Sequence, residues 1–274
     1  MRQALALAAL GAVAACSSPE DIALDTSVAV ARAQSSGAVA GADGSAAPGP
    51  YQYNNSEKTD EGERTFVYEW PRQVAEIPRL AAKLDKERKQ ALAEQMDYWA
   101  ETLQSCPPDG MSCRSAAFEV KWQVVADTPR FLSLSNNFYT YTGGAHGMHG
   151  RGALLWDREA ERSLTSLDFF ASPFALGDAI GAAACKSLNR EREARRGEPV
   201  PAGATEWPNQ CPSMEETVVF LGSSNGTTFD RIGVYYGPYV AGSYAEGEFE
   251  FTLPVTKAVL STVKPEYRAA FAIE

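Results

Sequence analysis

The sequence predicts an α+β fold, a mainly antiparallel sheet with a long N-terminal helix and a second helix packed on it, in two closely associated subdomains. Three observations predict it. Several stretches alternate large apolar and polar residues with period 2, as in "AAFEVKWQVVAD". Two longer stretches, one beginning at Pro78 and one at Pro173, carry apolar residues at helical spacing. The helical stretches interrupt clusters of strands and do not alternate with single strands, which is the α+β pattern.

The N-terminus carries processing information. Arg2 precedes a short apolar run, Ala4 to Ala15, with the layout of a secretory signal and too short to span a bilayer. The run ends Val13-Ala14-Ala15-Cys16, which resembles the lipobox of bacterial lipoproteins. That resemblance implies cleavage before Cys16, lipid on its thiol and, with Ser17 next, sorting to the outer membrane facing the periplasm. The other reading is ordinary secretory cleavage near Ala15 with an unpaired thiol. No later stretch is apolar for about 18 residues, so membrane attachment is expected through lipid alone. Residues 17–63 are rich in Ala, Ser, Gly, Pro and Asp and read as a flexible tether, with a root-mean-square span of roughly 35–40 Å.

The folded part is expected from Arg64, divided into residues 64–150 and 151–274. "RTFVYEW" places Phe66, Tyr68 and Trp70 on one side of a strand that Pro71 ends. From Pro78 to Gln104, Leu80, Leu84, Leu92, Met96, Trp99 and Leu103 fall on one helical face. Lys83, Lys86, Arg88 and Lys89 take the other side and read as solvated. Phe118, Val120, Trp122 and Val124 alternate in the next strand. "RFLSLSNNFYTYT", the Gly-His loop and "ALLWD" follow as an antiparallel meander, closed by the polar turn "DREAER". Ser172 as N-cap and Pro173 at the first helical position open the second helix. Its predicted buried stripe is Phe174, Ile180, Ala184 and Leu188. Its tail "NREREARRG" reads as an exposed, dipole-matched end, or as a docking patch for an anionic polymer. "EETVVFL", "TTFDRIGVYYG" and "EFEFTL" complete the strands, and a short helix from Val255 to Val263 stops before Pro265.

Besides Cys16 the chain has Cys106, Cys113, Cys185 and Cys211, an even number suited to two disulfides in an oxidising compartment. Of the three pairings, Cys106–Cys113 closes the turn-rich "CPPDGMSC", and Cys185–Cys211 clamps a helix end to the segment after it. A zinc site is disfavoured because the tight cysteine pairs of zinc modules are missing. The formal net charge is −10. That argues against nucleic acid as a partner and is compatible with a cationic one.

The chemistry-bearing candidates gather in "YTYTGGAHGMHGRG", which holds both histidines, His146 and His149. A catalytic zinc needs three protein ligands, no third histidine exists, and Gly147 and Gly150 oppose a metal-binding helix. No metal or other cofactor is therefore expected. No G-x-S-x-G nucleophile turn occurs, and no catalytic residue can be named. Gly143 and Gly144 suit a tight turn. The loop "YYGPYVAGSYAEG" is similar, with Gly237-Pro238 for its turn and tyrosines that suit an interface or sugar stacking. The binding candidates are Tyr139, Tyr141, Gly143, Gly144, His146, His149, Tyr236, Tyr239 and Tyr244.

"Y-x-Y-x-G-G-A-H" at 139–146 and "G-P-Y-x-x-G" at 237–242 resemble a bacterial envelope family of unknown function. That family is shared by the extracellular part of the anti-sigma factor RsiV and the non-catalytic N-terminal region of the peptidoglycan deacetylase PdaC. The resemblance spans about residues 64–272. It implies an α+β fold in two parts and an envelope recognition domain, since neither a deacetylase domain nor a sigma-binding part is present here. Peptidoglycan, or a cationic wall hydrolase such as lysozyme, is the expected partner. The alternative is a glycan-modifying enzyme using the Gly-His loop.

Overall fold

The computed structural model describes residues 49–274, so Cys16, the signal and most of the predicted tether lie outside the described residues. The chain begins with β1 (Tyr51–Lys58) and β2 (Glu63–Trp70), an antiparallel pair. The tether therefore does not extend to residue 63. β1 reads as linker because its outward residues, Gln52, Asn54 and Ser56, are exposed and polar. Its inward residues do the packing. Tyr51 stacks on Trp70 with ring centroids 3.8 Å apart, and Asn55 Oδ1 accepts from the buried Arg64 at 2.6 Å. An edge strand with one solvated face needs apolar residues only at alternate positions.

A short helix, α1 (Arg72–Ala75), leads to α2 (Pro78–Ser105), which returns the chain to β3 (Ser115–Asp127). β2 and β3 pair in parallel, and parallel neighbours need such a crossover. The meander continues antiparallel through β4 (Phe131–Tyr141), β5 (Met148–Asp157) and β6 (Arg162–Leu164). The six strands lie in the order β1 to β6, in a sheet that is mixed because of the β2–β3 pair. On α2, Leu80, Leu84 and Trp99 are buried as the periodicity predicts, but Met96 is 47 % exposed. Arg88 and Gln95 turn inward instead. Arg88 lies 4.0 Å over the Tyr53 ring and bonds to Asp85, and Gln95 donates to Thr65 O and accepts from Arg64. The helix runs beside β1, whose absence from the sequence reading hid the partner that draws Arg88 out of solvent.

The second layer starts at α3 (Pro173–Arg196). The Ser172 hydroxyl accepts from Ala175 N at its start, and Gly197 at φ +74° ends it in the left-handed conformation. Leu176, Ile180, Ala184, Leu188 and Arg192 make its buried face. Phe174, predicted inside, is 77 % exposed, and Leu176 takes its place one half-turn on. α3 packs on a separate antiparallel sheet of β7 (Val218–Gly222), β8 (Arg231–Tyr236) and β9 (Phe249–Pro254), and on α4 (Lys257–Thr262). The second helix thus covers a three-stranded sheet of its own.

The two cores lie on opposite faces of the six-stranded sheet. Leu132, Leu134, Leu154 and Trp156 point to the α2 side, while Phe131 and Leu155 join the core of α3 and the three-stranded sheet. Strand alternation sends neighbours to opposite faces, so β4 and β5 serve both cores. A boundary between residues 150 and 151 falls inside β5 and separates nothing. Among the described residues no helix is long and apolar enough to cross a membrane. Disulfides join Cys106 to Cys113 and Cys185 to Cys211.

Candidate functional site

The β4–β5 register places Tyr139 opposite His149, and residues 142–147 form the connecting Gly-His loop. Gly143 and Gly144 have φ of +95° and +94°, which a side chain would oppose. The Tyr139 ring lies across Gly147, where a Cβ would come within 2.5 Å of it. Glycine here lets an aromatic ring lie flat on the loop backbone.

The second glycine loop, residues 237–248 between β8 and β9, comes to the same place. Tyr244 stacks on His146 with centroids 3.8 Å apart and planes 19° apart, and meets His149 edge-on at 5.6 Å. Its hydroxyl donates to Gly147 O at 2.8 Å, tying the loops together across 97 residues of sequence. Tyr239 lies 5.7 Å from Tyr244 and puts its hydroxyl 3.4 Å from His146 Nε2. Tyr239 holds φ +69°, costly for a bulky residue, and is 48 % exposed. Trp207, 53 % exposed, donates its indole N–H to Tyr239 O at 3.2 Å. The result is a surface run of rings: Trp207, Tyr239 and His146 are exposed, Tyr244 lies half-buried against His146, and Tyr139 stands at the Gly147 end.

Both histidines have their ring nitrogens engaged. His146 Nδ1 lies 2.9 Å from Gly147 O. His149 has the Tyr244 hydroxyl 3.4 Å from Nδ1 and the Glu248 carboxylate 3.5 Å from Nε2. Glu248 also accepts from the Tyr235 hydroxyl at 2.7 Å, and burial together with that carboxylate raises the Tyr235 phenol far above its ordinary value. Among the described residues no group of three or more His, Cys, Asp or Glu is placed to hold a metal.

What holds the second loop is the tail of α3. Arg192 is fully buried and donates to Ala241 O, Asn209 O, Gln210 O and the Asn189 side chain. Burial, then the neighbouring Arg196 charge, pulls its pKa below the ordinary arginine value. Arg196 pairs with Glu246 and bonds to Asn209, and Arg195 donates to Glu246 O and Glu248 O. Burial would raise the Glu246 carboxyl, but the Arg196 and Ser243 hydrogen bonds outweigh it and hold it below the ordinary range. So Arg192, Arg195 and Arg196 are neither an idle helix end nor a docking patch. They fasten the tyrosine loop and the Trp207 segment to α3.

Of the predicted binding residues, the fold brings Tyr139, His146, His149, Tyr239 and Tyr244 together, on the turn that Gly143 and Gly144 form. Tyr236 points into the core, and burial pushes its pKa up to about 12. Tyr141 bonds within its own loop, donating to Gly144 O at 2.9 Å. Trp207 and Glu248 are site residues that sequence reading missed. The signal available was a tryptophan before Pro208 in a polar stretch, and an acidic residue just after the Gly-Pro-Tyr loop.

Residues 57–149 match the model of the family described as Deacetylase PdaC. None of the curated proteins matches the chain significantly. Similar solved structures include a DUF3298 family protein from Pseudomonas aeruginosa PAO1, at 18 % identity and TM-score 0.47, covering 82 % of this chain and 97 % of that one. A DUF3298 family member from Bacteroides fragilis NCTC 9343 is 18 % identical with TM-score 0.49, covering 80 % of this chain and 93 % of that one. From the end of β1 to His149, the chain carries a PdaC-like domain of unknown function.

Proposed function

We propose that the chain is a binding domain of the bacterial cell envelope, held by lipid on Cys16 at the outer membrane and facing the periplasm, and that its ligand is peptidoglycan glycan. The carrying observation is the surface run of the exposed Trp207, Tyr239 and His146 around the half-buried Tyr244. Flat aromatic faces beside hydroxyl and imidazole groups suit the apolar faces and hydroxyls of sugar rings. The left-handed Tyr239 fits this reading, because strained backbone that keeps an aromatic ring exposed is a mark of recognition surfaces. The engaged ring nitrogens favour binding over catalysis by the Gly-His loop. The deacetylase chemistry in the matched family's description is not carried over to this chain.

Co-sedimentation of the purified full chain with peptidoglycan sacculi tests the reading. Binding should fall about tenfold or more in Tyr239→Ala and Trp207→Ala, since base-free aromatic anchors typically contribute about 1–2 kcal/mol or more. Equal sedimentation of both variants and the parent would overturn it. The net charge of −10 supports a second partner class, a cationic wall hydrolase such as lysozyme. That version predicts capture of lysozyme that weakens steeply with salt and is indifferent to Tyr239→Ala.

A further inference from the structure

The first turns of α3 leave an apolar groove unfilled. It measures about 360 Å³ and lies between the helix and the chain from Cys211 to Glu215, with Phe174, Gly177, Gly181, Pro212 and Met214 among its lining. Phe174 is 77 % exposed. One exposed ring alone would mean little, but beside an apolar groove it extends a contiguous patch.

Gly177 and Gly181 stand one turn apart in the helix interior, where only proline is less favourable than glycine. The fold itself does not ask for them. A Cβ at Gly181 would meet nothing within 4 Å, and one at Gly177 only the Met214 side chain at 3.7 Å, an ordinary contact. Neither has the positive φ that calls for glycine. Alanine would fit at both positions and favour the helix. What the glycines do is keep the groove open.

The charge of the lining has one sign. Asp178 and Glu215 are exposed and line the groove, and no lysine or arginine does. Neither carboxylate takes part in an ion pair or side-chain hydrogen bond among the described residues. The positive end of the α3 dipole lies close by at Phe174, but it amounts to about half a charge against two carboxylates. A second copy is therefore the wrong occupant. Two-fold packing through Phe174 would press both pairs of carboxylates together.

We propose that this groove takes a basic amphipathic segment of a partner protein. Large apolar side chains of the segment sit over Gly177 and Gly181 against Phe174, and lysine or arginine beside them faces Asp178 and Glu215. The volume, at the lower end for bound ligands, suits a few such side chains. No residue of the aromatic run lines the groove, so this contact and sugar binding stand or fall separately.

Fluorescence anisotropy of the full chain with a labelled helical peptide amide of leucine and lysine tests the assignment. Control peptides replace leucine by alanine, or lysine by glutamine. The parent should bind the leucine–lysine peptide at least about tenfold more tightly than either control. Gly181→Leu fills the groove from an open position and improves helix propensity. It should lose about tenfold in affinity while melting no lower than the parent. Asp178→Asn combined with Glu215→Gln should weaken binding several-fold and flatten its salt dependence. Tyr239→Ala should bind the peptide as the parent does. Should Gly181→Leu melt below the parent, Phe174→Ala, a change at an exposed side chain, carries the test with a several-fold loss. Equal binding by the parent and the groove variants, a control peptide held as tightly, or no binding at all would overturn the proposal. So would a parent that sediments as a dimer which Gly181→Leu dissociates, since the groove would then hold a second copy.

Discussion

Replacing Arg192 by methionine is the sharpest probe of how the tyrosine loop is built. The guanidinium donates five hydrogen bonds at 2.6–3.1 Å, to three backbone carbonyls and the Asn189 side chain. No carboxylate offsets its burial directly, so the native state already carries a desolvation cost of several kcal/mol. Methionine fills the volume and removes that cost, but strands Ala241 O, Asn209 O and Gln210 O. Each buried, unsatisfied acceptor costs about 1–3 kcal/mol. With the three acceptors in the upper half of that range, about 6–9 kcal/mol together, and about 3–4 kcal/mol of desolvation recovered, the net loss is about 3–5 kcal/mol. At about 2–4 °C per kcal/mol for a domain of this size, the melting temperature should fall by about 6–20 °C in a thermal scan. Arg192→Lys should fall between, since an ammonium cannot span the carbonyls from both segments. A methionine variant within about 1 kcal/mol of the parent would refute the account, because it would mean that the carbonyls find water or each other at no cost.

Three further outcomes follow from the geometry. Gly147→Ala should leave stability within about 1 kcal/mol, since Gly147 has ordinary φ and the clashing group is the mobile end of Tyr139, yet it should weaken sacculus binding by displacing that ring. Replacing Cys185 and Cys211 by serine should cost about 3.5 kcal/mol against about 2.4 for the Cys106 and Cys113 pair, from loop entropy over separations of 26 and 7 residues; denaturant titration giving the reverse order would contradict it. Glu246 has a folded pKa below its unfolded value near 4.5, so its stabilisation is complete above that pH and is lost as pH falls through the depressed value. A melting-temperature series should therefore decline on the acid side of about pH 4.5, and Arg196→Gln should make the decline shallower.

What was legible in the sequence was what is local. Period-2 runs such as Phe66, Tyr68 and Trp70 declare a strand with one buried face, and Ser172-Pro173 declares a helix start, because the physics acts over a few residues. β1 was illegible because an edge strand solvated on one face needs few apolar residues, and Tyr51 and Tyr53 alone do not distinguish it from a linker. Arg88 and Arg192 were misplaced for one reason: an arginine is read as solvated unless its partners are known, and theirs come from Tyr53 and from Ala241, far along the chain. The candidate site was half legible. Both glycine loops could be singled out, but their meeting is a contact between Gly147 and Tyr244 that no local pattern encodes.

The sharing of β4 and β5 by two cores sets an order of events at the ribosome. Until residues beyond Asp157 have emerged, the face bearing Phe131 and Leu155 has nothing to cover it. A nascent chain that ends at His149 lacks nearly all of β5, including the Leu154 and Trp156 that the α2-side core also needs. Neither core can close before the other has begun, so the nascent domain exposes apolar surface that chaperones can hold until α3 has emerged. A fragment cut at residue 149 should accordingly be recovered from inclusion bodies, where the longer chain is not.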